Sequence, residues 1–317
     1  MRNWRRVSMA LLATTLLAGT TRAAEPAPTA EPAPTEELDY RKEVPRLEEA
    51  TRRGDAKSAE LLGELYASGI GVAHNPQRAC DLFEQAAGKA FPEAEHNFAN
   101  CWFFGIGRPR DYAQSAHWYE RAAAHGFLRA DCALGTQYRL GLGVPQDKAK
   151  GFALCRKGIE EGDPENMTTL AEMYLAGDGV ARDYKQAAAL LREAADAHEA
   201  NAARLLGLMY FNGDGVPRDP NQARDWLMQA ADGGRRDAFL PLGKLFLAAS
   251  RDAAQHVVES TALPALFWLA LAAEYDPAPE RRAEAQQLYD PLAAAAPALV
   301  GKLAPELKPW HESLGKP

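Results

Sequence analysis

Gly69, Gly105, Gly141, Gly177 and Gly213 follow one another at intervals of 36 residues, and Gly71, Gly107, Gly143, Gly179 and Gly215 do the same. With 25 glycines in 317 residues, agreement at eight further positions once the first pair is fixed has a chance probability on the order of 10⁻⁹, so the chain carries an internal repeat. An aromatic residue stands three positions before the first glycine each time: Tyr66, Trp102, Tyr138, Tyr174 and Tyr210. Leu82, Trp118, Leu154, Leu190 and Trp226 keep the same period further on.

The chemistry inside one period dictates its shape. Ala59, Leu62, Gly63 and Tyr66 fall at i, i+3, i+4 and i+7, the spacing of an apolar helix face. Gly69 sits where that helix needs a left-handed cap, and Gly71 lets the chain reverse without steric cost. A short polar residue follows (Asn75, Asp111, Asp147, Asp183, Asp219), suited to accept from the free N–H groups of a second helix. In two periods proline comes next, at Pro76 and Pro220, which suits a first helical position. Ala79, Leu82, Phe83, Ala86 and Ala87 mark the second apolar face. Each period therefore reads as helix A, a Gly-x-Gly turn and helix B. Neither helix can bury its stripe alone, so the expected fold is all-α, a solenoid of five stacked 36-residue helix-turn-helix repeats.

These residues closely resemble the Sel-one-like repeat, a relative of the tetratricopeptide repeat. The fifth period shows it best, from Ala202 through Leu206-Gly207, Tyr210, Gly213, Gly215-Val216, Asp219, Ala223 and Trp226 to Ala230-Ala231 and Gly234. The resemblance implies a right-handed α/α solenoid. The departures from the pattern are local: Ala99 and Ala171 replace the Gly63 position, Arg108 replaces Val72, and the glycine that closes helix B (Gly54, Gly126, Gly162, Gly234) gives way to Ala90 and His198.

The organisation expected around the array is a signal peptide over 1–23, a Pro/Ala/Glu-rich linker over 24–42 and an N-terminal capping helix over 43–54. The five repeats occupy 55–235, and 236–317 holds a degenerate sixth repeat with C-terminal capping helices. Arg2, Arg5 and Arg6 precede the apolar run Val7–Ala18, and Thr21-Arg22-Ala23 offers a cleavage site, a pattern of export to the periplasm or beyond. Removing residues 1–23 takes four of the 36 basic residues and none of the 43 acids, so the net charge moves from −7 to −11. That balance argues against nucleic acid and anionic lipid surfaces. The sixth repeat keeps Leu242-Gly243 and Phe246 but has Ala249 and Arg251 at the turn positions. Its second helix is expected at 264–275 and further helices at 278–296 and 298–315. The apolar run Ala262–Ala273 is too short to span a bilayer and reads as a buried helix.

Four cysteines in an exported chain point to disulfides. Directly opposed residues of antiparallel helices straddle their turn symmetrically, which pairs Cys80 with Cys101 and Cys132 with Cys155. No His-x₃-His or Cys-x₂-Cys spacing suggests a metal, and the Gly-x-Gly turns lack a P-loop lysine. There is no Gly-x-Ser-x-Gly, and Ser313-Leu-Gly-Lys316 lacks the companion motifs of penicillin-recognising enzymes. No cofactor and no catalytic residue is expected.

Resemblance to tetratricopeptide solenoids implies that the non-core face of helix A lines a concave surface. That face carries Lys57, Glu60 and Glu64, then Glu93, His96, Asn100, Phe103 and Phe104, then Arg129, Thr136 and Arg139. Glu165, Thr168, Glu172, Leu175, Asn201, Arg204, Leu208, Phe211 and Asn212 continue it. Phe103, Phe104 and Phe211 stand out as aromatics the turn does not require, with His96, Asn100, Arg139, Glu172 and Leu208 as polar and apolar companions. The expectation is a monomeric, non-enzymatic exported scaffold that binds a protein or peptide on this face, in envelope assembly, signalling or host contact. A β-lactam-binding or hydrolysing role, attributed to a cysteine-rich branch of the family, is the alternative.

Overall fold

The computed structural model describes residues 40–160, 162–250 and 256–315. The expected signal and most of the linker lie outside the described residues. The chain divides into two compact bodies, and the division falls after Asp183, within the fourth repeat. Among the described residues there is helix and turn and no strand pairing into a sheet.

In the N-terminal body, α1 (Tyr40–Arg52) precedes three helix pairs: α2 (Ala56–Ser68) with α3 (Pro76–Ala87), α4 (Pro92–Phe104) with α5 (Tyr112–Ala124), and α6 (Leu128–Leu140) with α7 (Lys148–Gly158). Helix α8 (Pro164–Ala176) ends it. Each pair packs within itself, and α1 on α2, α3 on α4, α5 on α6 and α7 on α8 join successive repeats. Ala59, Leu62 and Gly63 are buried on one side of the pair, and Ala79, Leu82, Phe83, Ala86 and Ala87 on the other.

Every first turn glycine caps its helix in the left-handed conformation, as Gly69 does with its N–H on the Leu65 carbonyl. The carbonyl of the periodic aromatic then accepts from the N–H of the polar cap residue, Asn75 to Tyr66 at 2.9 Å and Asp147 to Tyr138 at 2.8 Å. The cap side chains take helix B donors in turn: Asn75 from Arg78, Asp111 from Ala113 and Gln114, Asp147 from Lys150. The second turn glycine has a further duty. A Cβ at Gly143 would lie 2.3 Å from the carbonyl carbon of Tyr112, and one at Gly179 would lie 2.0 Å from the Lys148 oxygen. From the second repeat on, each turn thus seats its backbone on the first residues of the previous helix B, which locks one repeat onto the next.

The departures from the repeat pattern have physical accounts. Ala90 and His198 hold the same left-handed backbone as the glycines they replace, at φ 57° and 66°. That geometry strains a side chain by about 1 kcal/mol. Ala90→Gly is therefore expected to raise unfolding free energy by about 1 kcal/mol, read from the shift in urea midpoint. Arg108, in the place of Val72, lies over the rings of Phe98 and Trp102 at 4.5 and 4.8 Å and reaches Glu84 at 3.3 Å. Its stem covers apolar surface while its head meets an acid.

Both expected disulfides are present, Cys80–Cys101 between α3 and α4 and Cys132–Cys155 between α6 and α7. The second pair joins Cα atoms only 3.8 Å apart. Gly135 and Gly151 explain the close approach, because a Cβ on either would lie 2.6 Å from the other's carbonyl oxygen. Each closed loop contributes roughly 3 kcal/mol in the chain-entropy account.

In the C-terminal body, α9 (Tyr184–Asp196) and the pair α10 (Ala200–Asn212) and α11 (Pro220–Asp232) continue the repeats. The sixth pair is α12 (Phe239–Ala248) and α13 (Glu259–Tyr275). Helix α13 begins at Glu259, before the expected residue 264, because Pro264 falls in its second turn and does not stop it. The last expected helix is broken in two at Gly301 and Lys302: α14 (Pro279–Ala295) is followed by α15 (Pro297–Val300) and α16 (Leu303–Leu314). Leu266, Leu292, Leu299 and Leu303 form the apolar contact that closes this end.

Candidate functional site

Helix A of each repeat carries three faces: one against its own helix B, one against the preceding repeat, and one left over. In the first two repeats that remaining face borders a groove of about 620 Å³. Leu65, Phe83, Ile106 and the Cys80–Cys101 pair line it on the apolar side, with Leu61 and Ile70 also against it. Glu64, His74, Asn97 and Asn100 supply its polar groups. Among the described residues the large apolar side chains left exposed are Leu61, Ile70, Phe104 and Leu140. Ile70 is exposed for a topological reason. Its equivalent Ile106 packs against the cluster of Ala79, Cys80 and Phe83 of the repeat before it, whereas among the described residues only α1 precedes the repeat of Ile70.

The acids beside the groove are crowded. Glu60, expected on the non-core face of helix A, is instead buried, and the Asn97 amide donates to its carboxyl at 3.2 Å. Burial pushes the Glu60 carboxyl up to about 8, and the neighbouring Glu64 and Glu93 push in the same direction. Folding stability follows with a definite sign. Below pH 4.5 Glu60 is protonated in both states, and above it the unfolded carboxyl ionises while the folded one still holds its proton. The resulting penalty grows from about pH 4.5 to about 8 and is then constant. Glu60→Gln should therefore stabilise the protein more at pH 8 than at pH 5. An equal urea-midpoint shift at both pH values would contradict the assignment.

The residues expected to bind a partner divide into several environments. Asn100 lines the groove and accepts from the Tyr119 hydroxyl at 2.5 Å. The His96 ring lies between Tyr119 and Phe127, with centroids at 5.3 and 5.1 Å, and burial pushes its pKa down to about 4. It is a neutral packing element at physiological pH. Phe103 is half-buried against Tyr112 and the Ala99 cluster, while Phe104 beside it is 58% exposed. The two neighbouring phenylalanines thus have different surroundings, and the exposed one is Phe104. Arg139 pairs with Asp178 at 3.4 Å, and Lys148 meets the same carboxylate at 2.7 Å. The hydrogen bond from Lys148, with Arg139 behind it, holds Asp178 below its ordinary value. Arg129 pairs with Asp163 at 2.7 Å. Thr136, Glu172 and Leu175 are half-buried, Thr168 is buried, and Lys57, Glu93 and Glu165 are exposed.

In the C-terminal body, Leu208 and Phe211 are half-buried and Asn212 is exposed. Arg204 donates to the side-chain amide oxygen of Asn201 at 2.8 Å and pairs with Asp237 at 3.3 Å.

Sequence reasoning missed a set of buried ion pairs. Glu95 is fully buried and meets Arg121 at 2.8 Å and His125 Nδ1 at 2.6 Å. Asp131, in the equivalent place of the next repeat, is 2% exposed and meets Lys157 at 2.9 Å. The signal was available: these acids occupy the position that Ala59 and Ala203 fill in the first and fifth repeats. Among the described residues no group of three or more His, Cys, Asp or Glu is placed to hold a metal ion. No described helix is long and apolar enough to cross a membrane.

Comparison with known proteins follows from this geometry. The family model described as Sel1 repeat matches residues 56–90, 92–127, 128–163, 167–198 and 200–234, more than half of the chain. No curated protein matches. Among solved structures, a protective antigen present in uropathogenic Escherichia coli strains and displaying an SLR fold is similar at 27% identity and a TM-score of 0.59. The match covers 79% of this chain and 52% of that one, so this chain spans about half the length of that relative. A Sel1 repeat protein from Oxalobacter formigenes matches in fold at 24% identity and a TM-score of 0.55, covering 64% of this chain and 89% of the other.

Proposed function

The chain belongs to the Sel1 repeat family, whose members are generally non-enzymatic scaffolds, and on that footing we propose that it is an exported, non-enzymatic scaffold that holds a protein or peptide partner in the groove between its first two repeats. The observation that carries this reading is the groove itself. A concave apolar surface with a few polar groups at its edge is what a binding site requires, and Leu61 and Ile70 remain exposed there at 36% and 51%. Burying such side chains against a partner is favourable at roughly 25 cal/mol per Å² of apolar surface.

Asn100 lies in that groove. Phe104 and Leu140, at the same position of successive repeats and 58% and 48% exposed, offer contacts further along the array. Export is supported by the basic and apolar pattern of residues 1–23 and by two disulfides, which persist in oxidising compartments. The test uses full-length mature protein as bait in envelope extract, beside a Leu61→Ser/Ile70→Ser variant whose changes fall on exposed side chains. A partner retained by the wild type and lost by the variant is the expected result. Retention of every bound protein by the variant would place the site elsewhere.

A further inference from the structure

The groove has an electrical character that selects among partners. Among the described residues Glu64 is the one carboxylate that lines it, and no lysine or arginine does so. Asn97, on the groove's opposite helix, is bonded to Glu60, and Glu60 lies within the repulsive reach of Glu64 and Glu93. Three acids from α2 and α4 therefore converge beside an apolar trough, and their mutual repulsion adds to burial, the larger cause, in keeping a proton on Glu60 well above its ordinary range. Like charges gathered beside an unfilled apolar surface are relieved by a cation arriving with apolar side chains. The chain's own residues 24–37 offer no such relief, since they carry four glutamates and no basic residue.

We infer that the partner segment is a cationic amphipathic peptide, with apolar side chains in the trough between the first two repeats and lysine or arginine against Glu60, Glu64 and Glu93. This rests on the groove being the binding site. Binding draws Glu60 into its ionised form, so association releases a proton below pH 8 and strengthens as pH rises toward that value.

The probe is a fluorescein-labelled amphipathic helix of leucine and lysine, paired with a second peptide in which every lysine is glutamate. Fluorescence anisotropy against the full mature chain is compared for wild type, Glu60→Gln/Glu64→Gln/Glu93→Gln and Leu61→Ser/Ile70→Ser. A control variant, Glu280→Gln/Asp290→Asn/Glu312→Gln, removes the same number of carboxyl groups from the C-terminal body. The lysine peptide should bind, the glutamate peptide should not, each groove variant should weaken binding at least tenfold, and the control should stay within twofold. Equal weakening by the two charge-removal triples, or equal binding of both peptides, would overturn the inference. If the serine variant loses the lysine peptide while the acid-neutralised one does not, the groove stands and its cation preference fails. If the serine variant keeps full affinity, the groove itself is wrong.

Discussion

Gly179→Ala should cost about 2 to 5 kcal/mol, from left-handed strain together with overpacking. The backbone at Gly179 has φ +80°, and a Cβ there would lie 2.0 Å from the Lys148 carbonyl oxygen. That oxygen belongs to the first turn of α7, whose start is fixed by the Asp147 cap, so the atom in the way is backbone and cannot swing aside. The neighbouring Asp178 is anchored to Arg139 and Lys148. Displacing the turn therefore also stretches two ion pairs between the third and fourth repeats. Gly126→Ala separates the causes, because Gly126 is equally left-handed at φ +92° but has nothing within 4 Å of a Cβ. It should show the conformational cost alone, about 1 to 2 kcal/mol. Urea unfolding of both variants measures the difference, and equal losses would mean that the turn does not seat on the preceding repeat.

Arg121→Met should cost about 3 kcal/mol, because breaking a buried pair strands the charge that remains inside. Glu95 is wholly buried, whereas Arg121 is about one-third exposed. The asymmetry decides which partner matters more. Without Glu95, the guanidinium can turn to water; without Arg121, the carboxylate keeps, among the described residues, His125 at 2.6 Å. Methionine preserves much of the apolar stem that packs on Trp118, whose ring lies 4.4 Å from the guanidinium. The double variant Glu95→Leu/Arg121→Met should return to within about 1 kcal/mol of wild type, since an apolar pair of similar volume replaces the ions. A double-mutant cycle reads the coupling directly. Additive losses would show that Glu95 and Arg121 act independently.

The fold was legible because the turn chemistry admits few residue types. Left-handed caps require glycine, the following cap favours Asp or Asn, and the stripes require apolar side chains, so period and architecture could be read together. The second glycine was legible as a turn residue but its contact with the previous helix B was hidden, since positive φ and close approach both select glycine. The candidate site was legible only in outline. A helix face that avoids its own helix B can still be covered by the next repeat, as Asn97 covers Glu60 and Phe127 covers His96, while Phe103 is held against Tyr112 of its own repeat and Phe104 stays exposed. The exposure of Ile70 in the apolar groove follows from its place in the first of the five repeats, a property of position in the array that no local pattern records.

The proposal that the first two repeats form the partner-binding groove is tested most directly by photo-crosslinking in intact cells. A benzoylphenylalanine side chain is placed at Ile70, and separately at Glu120, an exposed position of α5. Irradiation should yield a discrete adduct from position 70 and none from position 120. The absence of an adduct at 70, or the same adduct from both positions, would contradict the account.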